Sequence, residues 1–184
     1  MIETERLVLR PPSADDLPWI EAAMNTPAVI RYLGGETRSA AEVAESLSAD
    51  VAAFAPGTWR HWTVWLRDED IRVGRCGLFH VRAEAAPALL RGQSEIGWTL
   101  AEMHWGKGYA SEAARAVLGY AFRQLGLTEI FSQTSDSNRA STRMMQRLGF
   151  ARFPELDYVD PNYPAADNPT TVYRLTRETW AGTV

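Results

Sequence analysis

The segment Trp105-Gly106-Lys107-Gly108-Tyr109-Ala110-Ser111-Glu112-Ala113 places two glycines, a lysine and small residues directly before the most regular helical pattern in the chain. A helix start has unpaired N–H groups and a partial positive charge, so it suits a phosphate. Gly106 and Gly108 permit unusual dihedrals and let a ligand approach the backbone with no Cβ in the way. Ala110 and Ser111 keep the first turn small, and Lys107 adds a point charge. A P-loop would need Gly-x-x-x-x-Gly-Lys-Ser/Thr, which this segment does not supply. A dinucleotide fingerprint would need Gly-x-Gly-x-x-Gly within a doubly wound parallel sheet, and Ser111 stands at the third glycine. Two readings stay open on these residues alone: a tight strand-to-helix turn, or the same turn used to bind a phosphate.

The elements around the loop follow from periodicity. Glu5 to Arg10 alternates as a half-buried strand, with Leu7 and Leu9 on one face. Ser13 with Asp16 opens a helix through Leu17, Ile20 and Met24. Ser39 with Glu42 is a capping box for a second helix through Val43, Leu47, Val51 and Phe54, ending at Pro56-Gly57. His61 to Arg67 and Ile71 to Val81, joined by Asp68-Glu69-Asp70, read as an antiparallel hairpin. Gln93 to Leu100 is a third strand. Ala110, Ala113, Ala114, Val117, Leu118, Ala121, Phe122 and Leu125 form one helical stripe, with Gly126 as its cap. A strand at Glu129 to Thr134, a helix capped by Asp136 or Ser137 and ended by Gly149, and a last strand at Thr171 to Leu175 complete the order. The unit 93–134 predicts one parallel crossover. The expected fold is α+β, a single mixed, mostly antiparallel sheet flanked by helices, in one domain covering 1–184.

Bulk properties narrow the class. The 184 residues suit one core, and 46% hydrophobic with 23% charged is an ordinary globular balance. A net charge of −4 and a pI near 5.4 argue against a nucleic-acid partner. The single cysteine, Cys76, excludes an internal disulfide and a cysteine-based zinc site, and no metal is expected. It reads as a buried small hydrophobe. Met1 to Arg10 has no apolar signal region, and no stretch reaches the length of a membrane span. The expectation is a soluble cytoplasmic protein with no membrane partner, as a monomer or homodimer.

Further motifs give the loop a specific resemblance. Ser94-Glu95-Ile96-Gly97-Trp98 lies upstream; Asn138-Arg139-Ala140-Ser141 and Leu148-Gly149-Phe150 lie downstream. The chain opens with Thr4-Glu5-Arg6-Leu7-Val8-Leu9-Arg10 and closes with Tyr173-Arg174-Leu175-Thr176-Arg177. Together these resemble the GNAT N-acetyltransferases, in the branch of the ribosomal-protein N-terminal acetyltransferases RimJ and RimL. The family's pyrophosphate motif is Gln/Arg-x-x-Gly-x-Gly/Ala. Gly108-Tyr109-Ala110 matches its second half, and Trp105 replaces the Gln/Arg, as is usual in this branch.

The resemblance implies direct transfer of an acetyl group from acetyl-CoA to a primary amine, on a small molecule or a protein N-terminus, within a ternary complex. It places Gly106, Lys107, Gly108, Tyr109, Ala110 and Ser111 at the pyrophosphate, and Trp98 to Leu100 beside the pantetheine arm. An amine is mostly protonated at pH 7, so a general base is useful. Glu95 is the candidate, against a structural hydrogen bond or salt bridge at the strand start. His61, His80 and His104 are rivals outside any motif. Replacing a base at Glu95 by Gln is expected to lower turnover most at lower pH. Many GNAT enzymes carry a tyrosine acid four residues before the Gly-Phe pair; here Met145 stands there. Ser141 is the substitute, with Asn138 holding the cofactor or the turn, and both also suit plain helix capping.

For the acceptor, the resemblance points to Arg31 to Thr37 and to the loop before the last strand. That loop carries Glu155, Asp157, Asp160 and Asp167, which either draw in a cation or form a solvated acidic loop. Trp59, Trp62 and Trp65 line a pocket or pack the core. The alternatives in function are a non-catalytic acyl-CoA-binding module and a dinucleotide-dependent enzyme.

Overall fold

A computed structural model describes residues 1–54 and 61–181 of the chain. Pro56-Gly57 and Trp59 lie outside the described residues. The strands are β1 (Ile2–Glu3), β2 (Leu7–Arg10), β3 (His61–Leu66), β4 (Arg72–His80), β5 (Ser94–Leu100), β6 (Glu129–Ser135), β7 (Ala151–Arg152) and β8 (Thr170–Thr176). They form one mixed, mostly antiparallel sheet in the order β1-β2-β3-β4-β5-β6-β8-β7. The helices are α1 (Leu17–Trp19), α2 (Pro27–Ile30), α3 (Ala40–Ala53), α4 (Tyr109–Arg123), α5 (Arg139–Arg147) and α6 (Arg177–Ala181). The described residues fall into two compact units, one within Met1–Leu78 and Trp98–Val117, the other within Phe79–Gly97 and Leu118–Val184.

In the first unit, β2, β3 and β4 are antiparallel neighbours, and β3–β4 is the hairpin the acidic turn predicts. Leu7 and Leu9 of β2 are fully inside, but Val8 between them is buried too, so the strand is covered on both faces rather than half-buried; Val64 of β3 and Val73 of β4 are also buried. Ile20, Met24, Val29, Val43, Leu47 and Ala101 form a second apolar cluster. Trp62 and Trp65 are buried, which assigns them to packing rather than to a pocket lining. The guanidinium groups of Arg10 and Arg72 lie 4.5 and 4.1 Å from the centre of the Trp65 ring.

The expected Ser13–Asp16 capping box is present, but the helix beyond it is not continuous. It runs as a 3-10 turn (Ala14–Asp16), then α1, then a π turn (Ile20–Met24). Pro18 has no N–H to give the carbonyl of Ala14, so the first turn tightens. The buried Asp16 carboxylate also accepts from Thr63 at 2.7 Å and from Arg72 Nε at 2.6 Å, so a cap residue locks the turn to two strands. The Ser39–Glu42 box forms as read, with reciprocal bonds of 3.3 and 2.8 Å.

In the second unit, β6 pairs with β8 along its whole length, and β7 pairs with the other edge of β8. The first residues of β5 run parallel to β6, with Glu95 opposite Phe131, as the crossover predicts. Ile96, Ile130, Met145, Leu148 and Leu175 are buried to within 1%. Each such Leu or Ile contributes roughly 1.5–3 kcal/mol on burial.

Two readings change here. The cap of α5 is Asn138, not Asp136 or Ser137. Ser137 is drawn away, its hydroxyl donating to Asp167 at 2.6 Å. The acidic loop before β8 is not simply solvated. Glu155 is exposed, but Asp157 pairs with Arg152 and accepts the Val172 N–H, and Asp160 and Asp167 are buried. Asp160 accepts the N–H of Asn162 at 2.9 Å. These carboxylates organise the loop from within.

Candidate active site

Along α4, Ala113, Ala114, Val117, Leu118, Ala121 and Phe122 are buried as the stripe predicts, while Ala110 is half-buried. The opposite side of the helix start faces water. Gly106 and Gly108 have φ of +74° and +82°, which non-glycine residues rarely adopt. Lys107 is exposed, and the turn ends in the first N–H groups of α4 at Tyr109, Ala110 and Ser111. Trp105 secures the other end of the turn: its indole N–H donates to the Leu100 carbonyl at 2.8 Å. A tryptophan at this position therefore ties the turn to the end of β5.

The loop has a brace that its own sequence does not show. Glu112, one turn into α4, accepts from the Thr4 hydroxyl at 2.6 Å and from the Arg6 N–H at 2.9 Å through one oxygen, and from Arg6 Nε at 2.7 Å through the other. Arg6 Nη1 donates to the Lys107 carbonyl at 3.0 Å, and the guanidinium lies 4.9 Å from the centre of the Tyr109 ring. Burial raises the Glu112 pKa, but the bonds from Thr4 and Arg6 outweigh it and hold the carboxyl below its ordinary value. A depressed carboxyl adds stability at neutral pH that is lost as pH falls below the ordinary range near 4 and through the folded value. Glu112→Gln is expected to lower stability at pH 7 by about 1–2 kcal/mol, since charged hydrogen bonds are lost beside a half-exposed Arg6. The deficit should shrink in acid, which thermal melts at pH 7 and pH 3 would check.

Glu95 sits at the second residue of β5 and is 9% exposed. Burial pushes its carboxyl up to about 8, although a bond from Gln133 works in the opposite direction. Gln133 Nε2 donates to Glu95 Oε2 at 2.9 Å. Gln133 was not a site residue on sequence grounds; its partner is 38 positions earlier, and only the β5–β6 register brings them together. Tyr158, Tyr163 and Asp160 lie close enough to couple electrostatically with one another and, for both tyrosines, with Glu95. Residues Trp98 to Leu100 finish the same strand, Trp98 half-exposed and Leu100 buried.

Asn138 Oδ1 accepts the Ser141 N–H at 3.3 Å, which gives Asn138 a capping role whatever else it does. Ser141 is half-buried and Met145 is fully buried. Of the histidines, His61 is pushed down by burial and Arg75, and His104 by burial and Lys107, so both are neutral at pH 7. His80 Nδ1 is 2.9 Å from the Gly92 carbonyl. Burial raises the Cys76 thiol far above the range of a reactive thiolate. Among the described residues, no group of three His, Cys, Asp or Glu side chains could hold a metal ion, and no helix is long and apolar enough to cross a membrane.

The sequence matches the Acetyltransferase (GNAT) domain over residues 6–151. It is 32% identical over 153 residues to YoaA of Bacillus subtilis, an uncharacterized N-acetyltransferase, covering 83% of each chain. The chain belongs to the GNAT acetyltransferase family. A crystal structure of an acetyltransferase from Agrobacterium tumefaciens aligns with a TM-score of 0.75 at 29% identity, covering 95% of this chain and 92% of that one. A shorter match, 34% identical over 89 residues, is the FsC-acetyl coenzyme A-N(2)-transacetylase of Aspergillus fumigatus, with 48% of this chain and 38% of that one covered. The mixed, mostly antiparallel sheet is not the doubly wound parallel sheet that a dinucleotide fingerprint needs.

Proposed function

We propose that this GNAT acetyltransferase moves an acetyl group from acetyl-CoA to a primary amine by direct attack in a ternary complex. The single observation that carries the donor half is the braced turn at 106–111: two left-handed glycines open onto the first N–H groups of α4, the geometry that cradles a pyrophosphate. In this reading Gly106, Lys107, Gly108, Tyr109, Ala110 and Ser111 bind the pyrophosphate, and Trp98 and Leu100 offer backbone groups to the pantetheine arm. The Trp-Gly-Lys-Gly-Tyr-Ala run supports a place in the RimJ/RimL-like branch.

Glu95 is the general base in this proposal. Its buried carboxyl ionises near pH 8, close to where a base must work on an amine. The amine nitrogen attacks the thioester carbonyl, the C–N bond forms and the C–S bond breaks. Glu95 takes the proton from nitrogen, and the departing thiolate takes one from Ser141 or from water. A thiol pKa of about 8.5 leaves little for that acid to do. Asn138 orders the turn before Ser141 and so keeps the hydroxyl in place.

The test is incubation with acetyl-CoA and a panel of small amines and peptides with free N-termini, following thiol release. Turnover with one class names the acceptor. Tight coenzyme A binding without turnover across the panel would instead select the non-catalytic binding module.

A further inference from the structure

Glu95 must hold a proton at one stage of each turnover and release it at the next, and a partner suited to only one of those states would stall it in the other. Gln133 is the group in contact with it. The two residues lie on neighbouring parallel strands, Glu95 opposite Phe131, with Gln133 two positions further along β6 on the same face as Phe131. β6 is held on its other side by continuous pairing to β8, where Gln133 is opposite Val172. The amide is thus fixed by a ladder and does not hang on a flexible segment.

Its two ends are used unequally. Nε2 donates to Glu95 Oε2 at 2.9 Å, whereas Oε1 is buried with no hydrogen-bond partner among the described residues. A shielded acceptor without a donor is disfavoured by about 1–3 kcal/mol, and it calls for a reason. An amide has a donor end and an acceptor end of nearly the same shape. Presented nitrogen-first, it satisfies an ionised carboxylate. Turned over about its terminal bond, it satisfies the O–H of a carboxylic acid with the oxygen that is otherwise idle.

We propose that Gln133 is a positioning residue for Glu95, serving both of its protonation states by presenting the amide N–H to the carboxylate and the amide oxygen to the acid. The proposal rests on Glu95 as the base. The titratable groups that couple with Glu95 come from the segment between β7 and β8: the Tyr158 and Tyr163 hydroxyls, which also couple with Asp160. Burial opposes ionisation of Glu95, and the N–H donors of Gln133 are what favour it.

The experiment compares pH profiles of kcat/KM for the intact chain, Gln133→Met, Gln133→Glu and Glu95→Gln, with coenzyme A affinity and melting temperature measured on each. Methionine matches the shape of glutamine without either polar end. It is expected to move the inflection assigned to Glu95 up by about one pH unit, and to lower kcat/KM at pH 7 about tenfold, with coenzyme A affinity unchanged. Gln133→Glu keeps an oxygen for the acid, offers no side-chain N–H beside the retained backbone donor and adds a like charge, so it should move the inflection further. If Glu95→Gln removes the inflection while both Gln133 variants leave it in place, Glu95 stands as the base and Gln133 is not its positioning residue. If Glu95→Gln itself retains the inflection, the base assignment fails and this proposal with it. Should one Gln133 variant fail to fold, the other carries the comparison.

Discussion

Gly108→Glu is expected to lower coenzyme A affinity at least a hundredfold while the protein stays folded. Two effects add. The φ of +82° at Gly108 lies where a residue with a Cβ is strained by roughly 1–2 kcal/mol. More important, the new carboxylate would stand at the mouth of the anion site, where juxtaposed like charges are unfavourable by several kcal/mol. The added Cβ would meet Arg6 Nη2 at 3.3 Å, the far end of a flexible side chain, so the fold can accommodate it. Gly108→Ala separates the terms, since it carries the backbone strain without the charge and should weaken binding far less. Calorimetric titration of both variants decides the matter; a glutamate variant that binds coenzyme A as tightly as the parent would refute the pyrophosphate assignment.

Glu95→Gln is expected to reduce kcat/KM by about a hundredfold or more above pH 8, within the range for loss of a general base. The pH window is the reverse of what an ordinary carboxylate predicts. With its pKa raised to about 8, Glu95 is only about 1% ionised two units lower, so the parent has little base to lose at pH 6. The ratio of parent to variant should therefore grow with pH, and taking the ratio cancels the titration of the amine itself. A ratio that is flat across pH 6–9 would return Glu95 to a structural role.

The same shift gives a readout that does not involve catalysis. A carboxyl raised from 4.5 to about 8 on folding favours the folded state fully below pH 4.5, and that advantage is lost as pH rises through 8. The swing is of the order of a few kcal/mol. Glu95→Gln, neutral throughout, should lack this pH-dependent loss, so the variant gains on the parent as pH rises from 5 to 8.

Much of the frame was legible because it follows from local rules. The Ser39–Glu42 box and the apolar stripe of α4 each need only a short window, and each is found where expected. The elements that escaped notice are short or depend on distant partners. β1 and β7 have two residues each, too few for a periodic signal, and α6 follows β8 without a turn residue between them. The cap of α5 was misplaced by one or two residues because Ser137 is claimed by Asp167, 30 positions away. The glycine turn before α4 could be read from glycines and small residues in sequence. The surroundings of Glu95 could not, because burial and strand register bring Gln133 to it.

The segment between β1 and β2 has a consequence for how the protein tolerates trimming. Thr4 and Arg6 reach the loop more than a hundred positions downstream, through Glu112 and the Lys107 carbonyl. Residues at the beginning of a chain are commonly expendable. Here, clipping the first six would leave the whole glycine turn intact and still remove the strut beneath it, so a chain shortened more than a hundred positions upstream would lose the support of that turn.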